Sequence, residues 1–366
     1  MIIGVPRETV PGERRVALVP DWVARLVQAK LDVVVQAGAG TSAGFLDAAY
    51  ADKGARIEPE VLALADVVLK VQPPTAEETG QIKTGATLIS FLQPYSNATG
   101  IQALADRQVT AFAMELMPRI TRAQSMDALS AMSTVAGYKA VLIAANHLPK
   151  FFPLLMTAAG TLSPARVFIV GAGVAGLQAI GTAKRLGAVV EAYDTRPVVK
   201  EQVESLGGKF VELGLETKDA QAATGYAKAQ SEEFYEKQRQ MMLKVVAGAD
   251  VVIPTALVPG KRAPILITEE MVQAMRPGSV LVDLAADQGG NCAITEPGKE
   301  VIKHGVTIIG PVNIASTVPF HASQMYARTV TNYLLHLVKD GQMQLDLNDE
   351  LTRGPLVTRE GQVVHE

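Results

Sequence analysis

Residues 167–194 read VFIVGAGVAGLQAIGTAKRLGAVVEAYD, and this stretch decides the fold. A short apolar run of strand type, Arg166–Val170, enters the loop Gly171-Ala172-Gly173-Val174-Ala175-Gly176. A helical pattern, Leu177–Leu186, follows, and a second apolar run, Val189–Tyr193, stops on Asp194. The glycines therefore sit inside a whole β-α-β unit of the G-x-G-x-x-G type. Each has a physical task. Gly171 makes the tight turn, Gly173 leaves room for a pyrophosphate, and Gly176 lets the helix lie close on the strand. The helix start, at Val174 and Ala175, offers unpaired N–H groups and a partial positive charge to phosphates. Asp194, eighteen residues past Gly176, can accept hydrogen bonds from ribose hydroxyls. A carboxylate there repels a 2′-phosphate and so favours NAD(H). Arg196, two residues on, is the residue type that accommodates a 2′-phosphate.

Outward from this unit, strand-like runs recur at β-α spacing. Ile2–Val5, Val33–Gln36, Val67–Val71, Thr87–Phe91 and Thr110–Met114 fill the first third. Lys209–Val211, Val251–Pro254, Val280–Asp283 and Thr307–Ile309 follow the quoted stretch. Nearly continuous apolar runs alternating with helical patterns such as Trp22–Lys30 predict parallel sheets covered on both faces. The length of 366 residues gives room for two such cores. Ala65-Asp66-Val67-Val68 echoes Ala249-Asp250-Val251-Val252, and the second run opens into a loop, Thr255–Gly260. The expectation is an α/β protein with two doubly wound, Rossmann-like domains of related plan. Two long helical patterns, Ser125–Asn146 and Ala322–Val338, join them. The first domain takes residues 1–130 and 322–366, the second takes 131–321, and the cleft lies at the two crossings.

Other features bound the function. A net charge of −3 supplies no basic field for nucleic acid. The single cysteine, Cys292, rules out an intramolecular disulfide and reads as a small buried residue. No ligand cluster for a metal is evident. The start, MIIGVPRE, carries charge too early for a signal peptide. The apolar stretch 140–159 is interrupted by Asn146, His147, Lys150 and two prolines, so no direct membrane span is expected. Gly38-Ala39-Gly40 also follows a strand, but no acid ends the next one, and it reads as a glycine turn. Residues 215–242 lack strand signal and contain Gly225-Tyr226. They read as a mobile lid, or, in their second half, as a solvated surface helix.

Few residues offer acid–base chemistry. His147, His304, His336 and His365 stand in helical or tail contexts without catalytic neighbours, and His321 stands at a helix start after Pro319. The segment ahead of the first joining helix is richer: Arg119, Gln124, Asp127 and Ser130 gather within twelve residues. Asp and Ser with nearby backbone can satisfy a carboxamide such as that of nicotinamide, while Arg and Gln can orient riboses and phosphates. The same residues can instead serve the helix alone, Ser125 as an N-cap and Asp127 on its dipole.

Several segments together carry a family resemblance. They are Gly-Val-Pro-Arg-Glu (4–8), Glu-Arg-Arg-Val-Ala-Leu-Val-Pro (13–20), Met-Glu-Leu-Met-Pro-Arg-Ile (114–120), Arg-Ala-Gln-Ser-Met-Asp (122–127), Gly-Ala-Gly-Val-Ala-Gly-Leu-Gln (171–178), Tyr-Asp-Thr-Arg-Pro (193–197) and Asp-Gln-Gly-Gly-Asn (287–291). Over essentially its full length the chain resembles the NAD(H)-binding alpha-subunit (domain I) family of the proton-translocating NAD(P) transhydrogenases, within a wider family that includes alanine dehydrogenase. The resemblance implies that Arg119, Gln124, Asp127 and Ser130 form the catalytic loop at the nicotinamide. Gln124 would also reach toward NADP(H) on a partner. The implied cofactor-binding set is Gly171, Gly173, Val174, Ala175, Gly176, Asp194, Thr195, Arg196, Gly225, Tyr226, Ala256 and Leu257, with the Gly225-Tyr226 loop closing over the nucleotide. It further implies a homodimer in a complex with an NADP(H)-binding subunit and a membrane-spanning subunit, cytoplasmic and peripheral to the inner membrane. NADP(H) would bind only on the partner.

The alanine dehydrogenase branch is the alternative, an amino-acid dehydrogenase. Its substrate pattern of arginine, lysine and histidine looks like Arg15 and Lys70 here, but Phe-Leu-Gln-Pro-Tyr (91–95) has Gln93 where the histidine falls. Hydride passing between two nicotinamide C4 carbons carries no heteroatom proton. It needs donor and acceptor carbons about 3–3.5 Å apart rather than an acid or base.

Overall fold

The computed structural model describes residues 1–212, 232–257 and 260–365. It divides into two compact units, residues 1–132 with 315–366 and residues 133–314. The divisions fall within the helix Ala128–His147 and just ahead of the helix Pro319–Leu337.

In the first unit, six strands from the N-terminal third form a parallel sheet. Their spatial order is Arg56–Glu58, Asp32–Gln36, Ile2–Val5, Val67–Leu69, Thr87–Ser90 and Thr110–Ala113. The C-terminal strand Leu356–Arg359 adds antiparallel beside Thr110–Ala113, followed by Gln362–Val363. Ile3, Val33, Val34, Val35, Val68, Leu69, Leu88, Ile89 and Phe112 are fully buried, as expected of a sheet covered on both faces.

The second unit repeats the plan. Its order is Lys209–Phe210, Val189–Tyr193, Arg166–Val170, Val251–Pro254, Val280–Val282 and Val306–Ile309, with Glu300–Lys303 antiparallel at the edge. Strand alternation divides its core. Val167, Ile169, Val251 and Ile253 face one way, onto Val141 and Ala144 of the long helix and Ala179 and Ile180 of the glycine-loop helix. Phe168, Val170 and Val252 face the other way, onto Met242 and Val246 of the helix Glu232–Ala247. Each such side chain contributes roughly 1.5–3 kcal/mol by leaving water.

The echo noted in the sequence has a structural counterpart. Asp66 opens the strand beside Ile2–Val5 and accepts the N–H of Ile2 at 2.8 Å. Asp250 opens the strand beside Arg166–Val170 and accepts the N–H of Arg166, also at 2.8 Å. Each is paired with a lysine, Lys83 at 2.7 Å and Lys150 at 2.8 Å. In both sheets the chain reverses direction at that strand pair, the switch point where ligands of doubly wound folds sit.

All the strands expected from apolar runs are present, within two residues at their ends. Three details correct the sequence reading. The long helix starts at Ala128, not Ser125, because a 3₁₀ run, Thr121–Met126, precedes it. The second long helix starts earlier, at Pro319, whose missing N–H suits a first helical position. The second half of the 215–242 stretch is not a merely solvated helix, since Met242 and Val246 are fully buried. After Gly38 only a 3₁₀ turn, Thr41–Ala43, follows, so that glycine turn opens no α-helix. By length and composition one helix among the described residues, Ala128–His147, could cross a membrane. In this fold its Ala140, Val141 and Ala144 lie in the core of the second unit.

Candidate functional site

The glycine loop is built as its spacing demands. Gly171 has φ +101, and a Cβ there would stand 2.7 Å from the Thr255 hydroxyl. A Cβ on Gly176 would fall 1.9 Å from the Gly171 carbonyl oxygen, so only glycine allows the helix this close. Gly173 differs: the nearest atom to its absent Cβ is Arg196 Nη2, at 3.8 Å. Its lack of a side chain leaves open space in front of the backbone. The helix Val174–Arg185 starts there with Gly173 as N-cap and no side chain capping it. The first-turn N–H groups of Val174, Ala175 and Gly176 therefore lack partners within the helix and are oriented for an anion.

Asp194 ends the next strand, buried beside this loop. One carboxylate oxygen accepts the N–H of Arg196 (2.8 Å) and Arg196 Nε (2.9 Å). The other accepts the N–H of Ala172 (2.8 Å) and Arg196 Nη2 (2.7 Å). Thr195 lies between the two. Aspartate and arginine thus meet at the end of the loop in a charge-assisted pair.

The far wall is the segment after Val251–Pro254. The Thr255 hydroxyl donates to the Gly171 carbonyl at 3.0 Å, which brings Ala256 and Leu257 beside the glycine turn. Asn291 holds this wall. Fully buried, it accepts the N–H of Ala256 and donates to the carbonyls of Ala256 and Pro264, each at 2.9 Å. Asp283 in turn accepts the N–H of Cys292 and the hydroxyl of Thr295. The sequence reading did not single out Asn291 or Asp283 as site residues. Asn291 ends the Asp-Gln-Gly-Gly-Asn segment, but its partners lie 27 and 35 residues away. Cys292 is buried, and burial pushes its thiol up to about 11, which makes it unreactive at neutral pH. Behind the loop, Gly137 of the long helix meets the glycine-loop helix: a Cβ on Gly137 would stand 2.1 Å from the Ala175 carbonyl oxygen. Gly225 and Tyr226 lie outside the described residues.

In the first unit, Arg119, Gln124, Asp127 and Ser130 line one cavity of about 330 Å³, together with Pro118 and Thr121. Asp127, not Ser125, serves the helix start. Its carboxylate accepts both the N–H of Ser130 (2.8 Å) and the hydroxyl of Ser130 (2.6 Å). The 3₁₀ run carrying Gln124 is long for its type, and it is tied down from outside. Arg122 pairs with Asp349 at 2.9 Å, and Asn332 donates to the Ser125 carbonyl at 3.0 Å.

Arg15 and Lys70 are both buried, and carboxylates already match their charges. Arg15 forks onto Glu13 at 2.8 and 2.6 Å. Lys70 meets Glu78 at 2.9 Å and Glu8 at 3.4 Å. Burial raises the Glu13 carboxyl, but Arg15 outweighs it and, with Gln72, holds the group down at about 2. Gln72, rather than Lys70, reaches the Arg15–Glu13 pair, donating to Glu13 at 2.8 Å. Gln93 sits in a left-handed conformation, φ +53, with its N–H on Glu115. Among the described residues, no group of three or more His, Cys, Asp or Glu is placed to hold a metal. His147, His304 and His336 pair with Glu300, Glu269 and Asp349, and none of the six lines the cavity.

A doubly wound sheet with this loop, this acid and this helix start defines a dinucleotide-binding protein of Rossmann type. Comparison with known proteins narrows the class. Residues 4–136 match the N-terminal domain, and residues 140–366 the C-terminal domain, of the alanine dehydrogenase/PNT family. The chain belongs to that family. It is 51% identical to the first portion of an NAD(P) transhydrogenase subunit alpha from Rhodospirillum rubrum, over 100% of this chain and 98% of that one. It is 32% identical to an alanine dehydrogenase of Bacillus subtilis, over 100% of this chain and 93% of that one. The crystal structure of a transhydrogenase from Sinorhizobium meliloti superposes with a TM-score of 0.87 at 42% identity, covering 100% of this chain and 99% of the other.

Proposed function

We propose that this chain is the NAD(H)-binding component of a transhydrogenase complex, which presents the nicotinamide of NADH to NADP+ held on another subunit. The observation that carries this reading is the convergence of Arg119, Gln124, Asp127 and Ser130 on one cavity with no histidine among the lining residues. The residues fit NAD(H) on physical grounds. The open face of Gly173, the first-turn N–H groups of its helix and the Asp194 carboxylate suit pyrophosphate and ribose. The Asp127 carboxylate and Ser130 hydroxyl suit a carboxamide. NAD(H), when bound, supplies the hydride. Asp127 and Ser130 fix the orientation of the ring, and Gln124 faces the incoming acceptor. In the overall change NADH is oxidised and NADP+ reduced by one hydride, with no heteroatom proton to place. That balance agrees with a cavity lining that holds no histidine.

The family name of the relatives supports the rest: other subunits hold NADP(H) and span the membrane, where proton movement is coupled, and this chain attaches through them. We also propose a homodimer. Its support is the hairpin Leu155–Thr157 and Gly160–Leu162, whose strands, among the described residues, pair only with each other. Its surroundings carry an exposed apolar patch, with Met156 80% and Phe151 58% exposed. Such a patch marks a contact surface, and two lone strands are marginal in water.

The test mixes the purified chain with a separate NADP(H)-binding subunit and follows transfer between the nucleotides. Transfer is expected, and Gln124→Ala should slow it about tenfold to a hundredfold through misplacement while NADH binding stays near normal. Tight NADH binding with no transfer refutes the assignment. Alanine-dependent NAD+ reduction by the isolated chain would establish the dehydrogenase instead; the compensated charges of Arg15 and Lys70 argue against it.

A further inference from the structure

Asp194 has four donors and no oxygen to spare: two groups of the Arg196 side chain, the Arg196 N–H and the Ala172 N–H, all at 2.7–2.9 Å. The Arg196 guanidinium is drawn in over the glycine loop, with Nη2 3.8 Å from the position a Gly173 Cβ would take. The pair is sheltered, with side chains 13% and 5% exposed, so solvent screens it little. An arginine next to the strand-end acid is where a 2′-phosphate would be received, and its fork matches that group's oxygens. Here the fork is already committed to a carboxylate that itself repels phosphate.

We propose that Asp194 and Arg196 together form the cofactor-specificity latch: Asp194 selects the 2′-hydroxyl and, by holding Arg196, keeps a latent 2′-phosphate receptor out of use. The proposal rests on the dinucleotide reading of the loop. When ribose binds, its hydroxyls compete with the guanidinium for the same two oxygens. When the charge at 194 is removed, Arg196 is released and the site turns toward the phosphorylated cofactor.

Asp194→Asn tests this, because its amide oxygen can still accept the Ala172 N–H and keep the turn. Its NH2 group cannot accept from Arg196. The quantity read is the ratio of NADPH to NADH affinity, from calorimetry on the full chain, with a cooperative melt as the check on folding. The ratio should rise by about a hundredfold, roughly tenfold from each nucleotide. The double variant Asp194→Asn/Arg196→Ala should lose the NADPH part of that gain. Arg196→Ala alone, which keeps Asp194 on the loop, is the second probe and should lower the ratio below that of the natural chain. An unchanged ratio in Asp194→Asn, or an NADPH gain that survives in the double variant, overturns the latch. If Asp194→Asn does not melt cooperatively, Arg196→Ala decides, and a ratio that does not fall overturns the proposal. Failure of the natural chain to bind NADH at all would instead refute the dinucleotide reading.

Discussion

Gly137, Gly171, Gly173 and Gly176 are glycine for separate reasons, and only Gly171 needs an unusual φ. Gly173 faces open space, and a Cβ there would obstruct a ligand rather than the fold. Gly137 and Gly176 are matters of contact between backbones. The Gly137 contact is the more informative because it lies outside the motif. Its neighbour, the Ala175 carbonyl, belongs to the helix turn whose N–H groups point at the proposed phosphate site. A methyl group at 137 must push that turn away. Gly137→Ala is expected to lower stability by about 1–3 kcal/mol through overpacking, and to weaken NADH binding beyond what unfolding accounts for. Denaturant unfolding and calorimetry read the two effects separately. A variant of normal stability and affinity would show that the helices separate freely.

Among elements, the loop after Val251–Pro254 is held by a side chain far along the chain. Asn291 gives that loop the two hydrogen bonds a neighbouring strand would give, plus a third to Pro264. Asn291→Ala leaves those backbone groups unsatisfied and is expected to lower the unfolding free energy by about 1–3 kcal/mol. Asn291→Asp should do no better, since a carboxylate would face two carbonyl oxygens. Urea unfolding of the two variants checks this; an aspartate chain clearly more stable than the alanine chain would disprove it. The example also marks what sequence can reveal. Strands such as Val33–Gln36 and Val251–Pro254 are legible because burial on both faces makes them uniformly apolar. The β-α-β unit is legible because its glycines, helix and acid are local in sequence. Edge strands Arg56–Glu58 and Glu300–Lys303 escape notice, since half-solvated edges carry charges. The start of the long helix is misread by three residues because Ser125 and Asp127 both suit a cap. Only the Ser130 contact decides for Asp127. The clamp by Asn291 and the Asp194–Arg196 pairing depend on side-chain direction, which spacing does not encode.

At the scale of the molecule, the hairpin Leu155–Leu162 and the apolar side chains beside it form a surface that no described residue of this chain covers. Next to it lies a concavity of about 510 Å³ lined by Phe151, Phe152, Pro153 and Arg185. A second copy is the proposed cover. Met156→Asp places a charge on the most exposed apolar side chain of that surface and should convert the dimer to monomer at micromolar concentration. Sedimentation velocity reads the change. A monomeric natural chain, or a dimer indifferent to the substitution, would dismiss the hairpin as the contact.

The first sheet takes the strand Leu356–Arg359 beside Thr110–Ala113, from the far end of the chain. Everything in the second unit is synthesised between those two strands. Chains emerge from the ribosome N-terminus first, and contiguous units fold as they emerge. The nucleotide-loop unit is therefore complete in sequence before its neighbour can close its sheet. A nascent chain halted shortly before residue 315 would already possess the coenzyme's phosphate cradle while the other lobe still waited for its final strand.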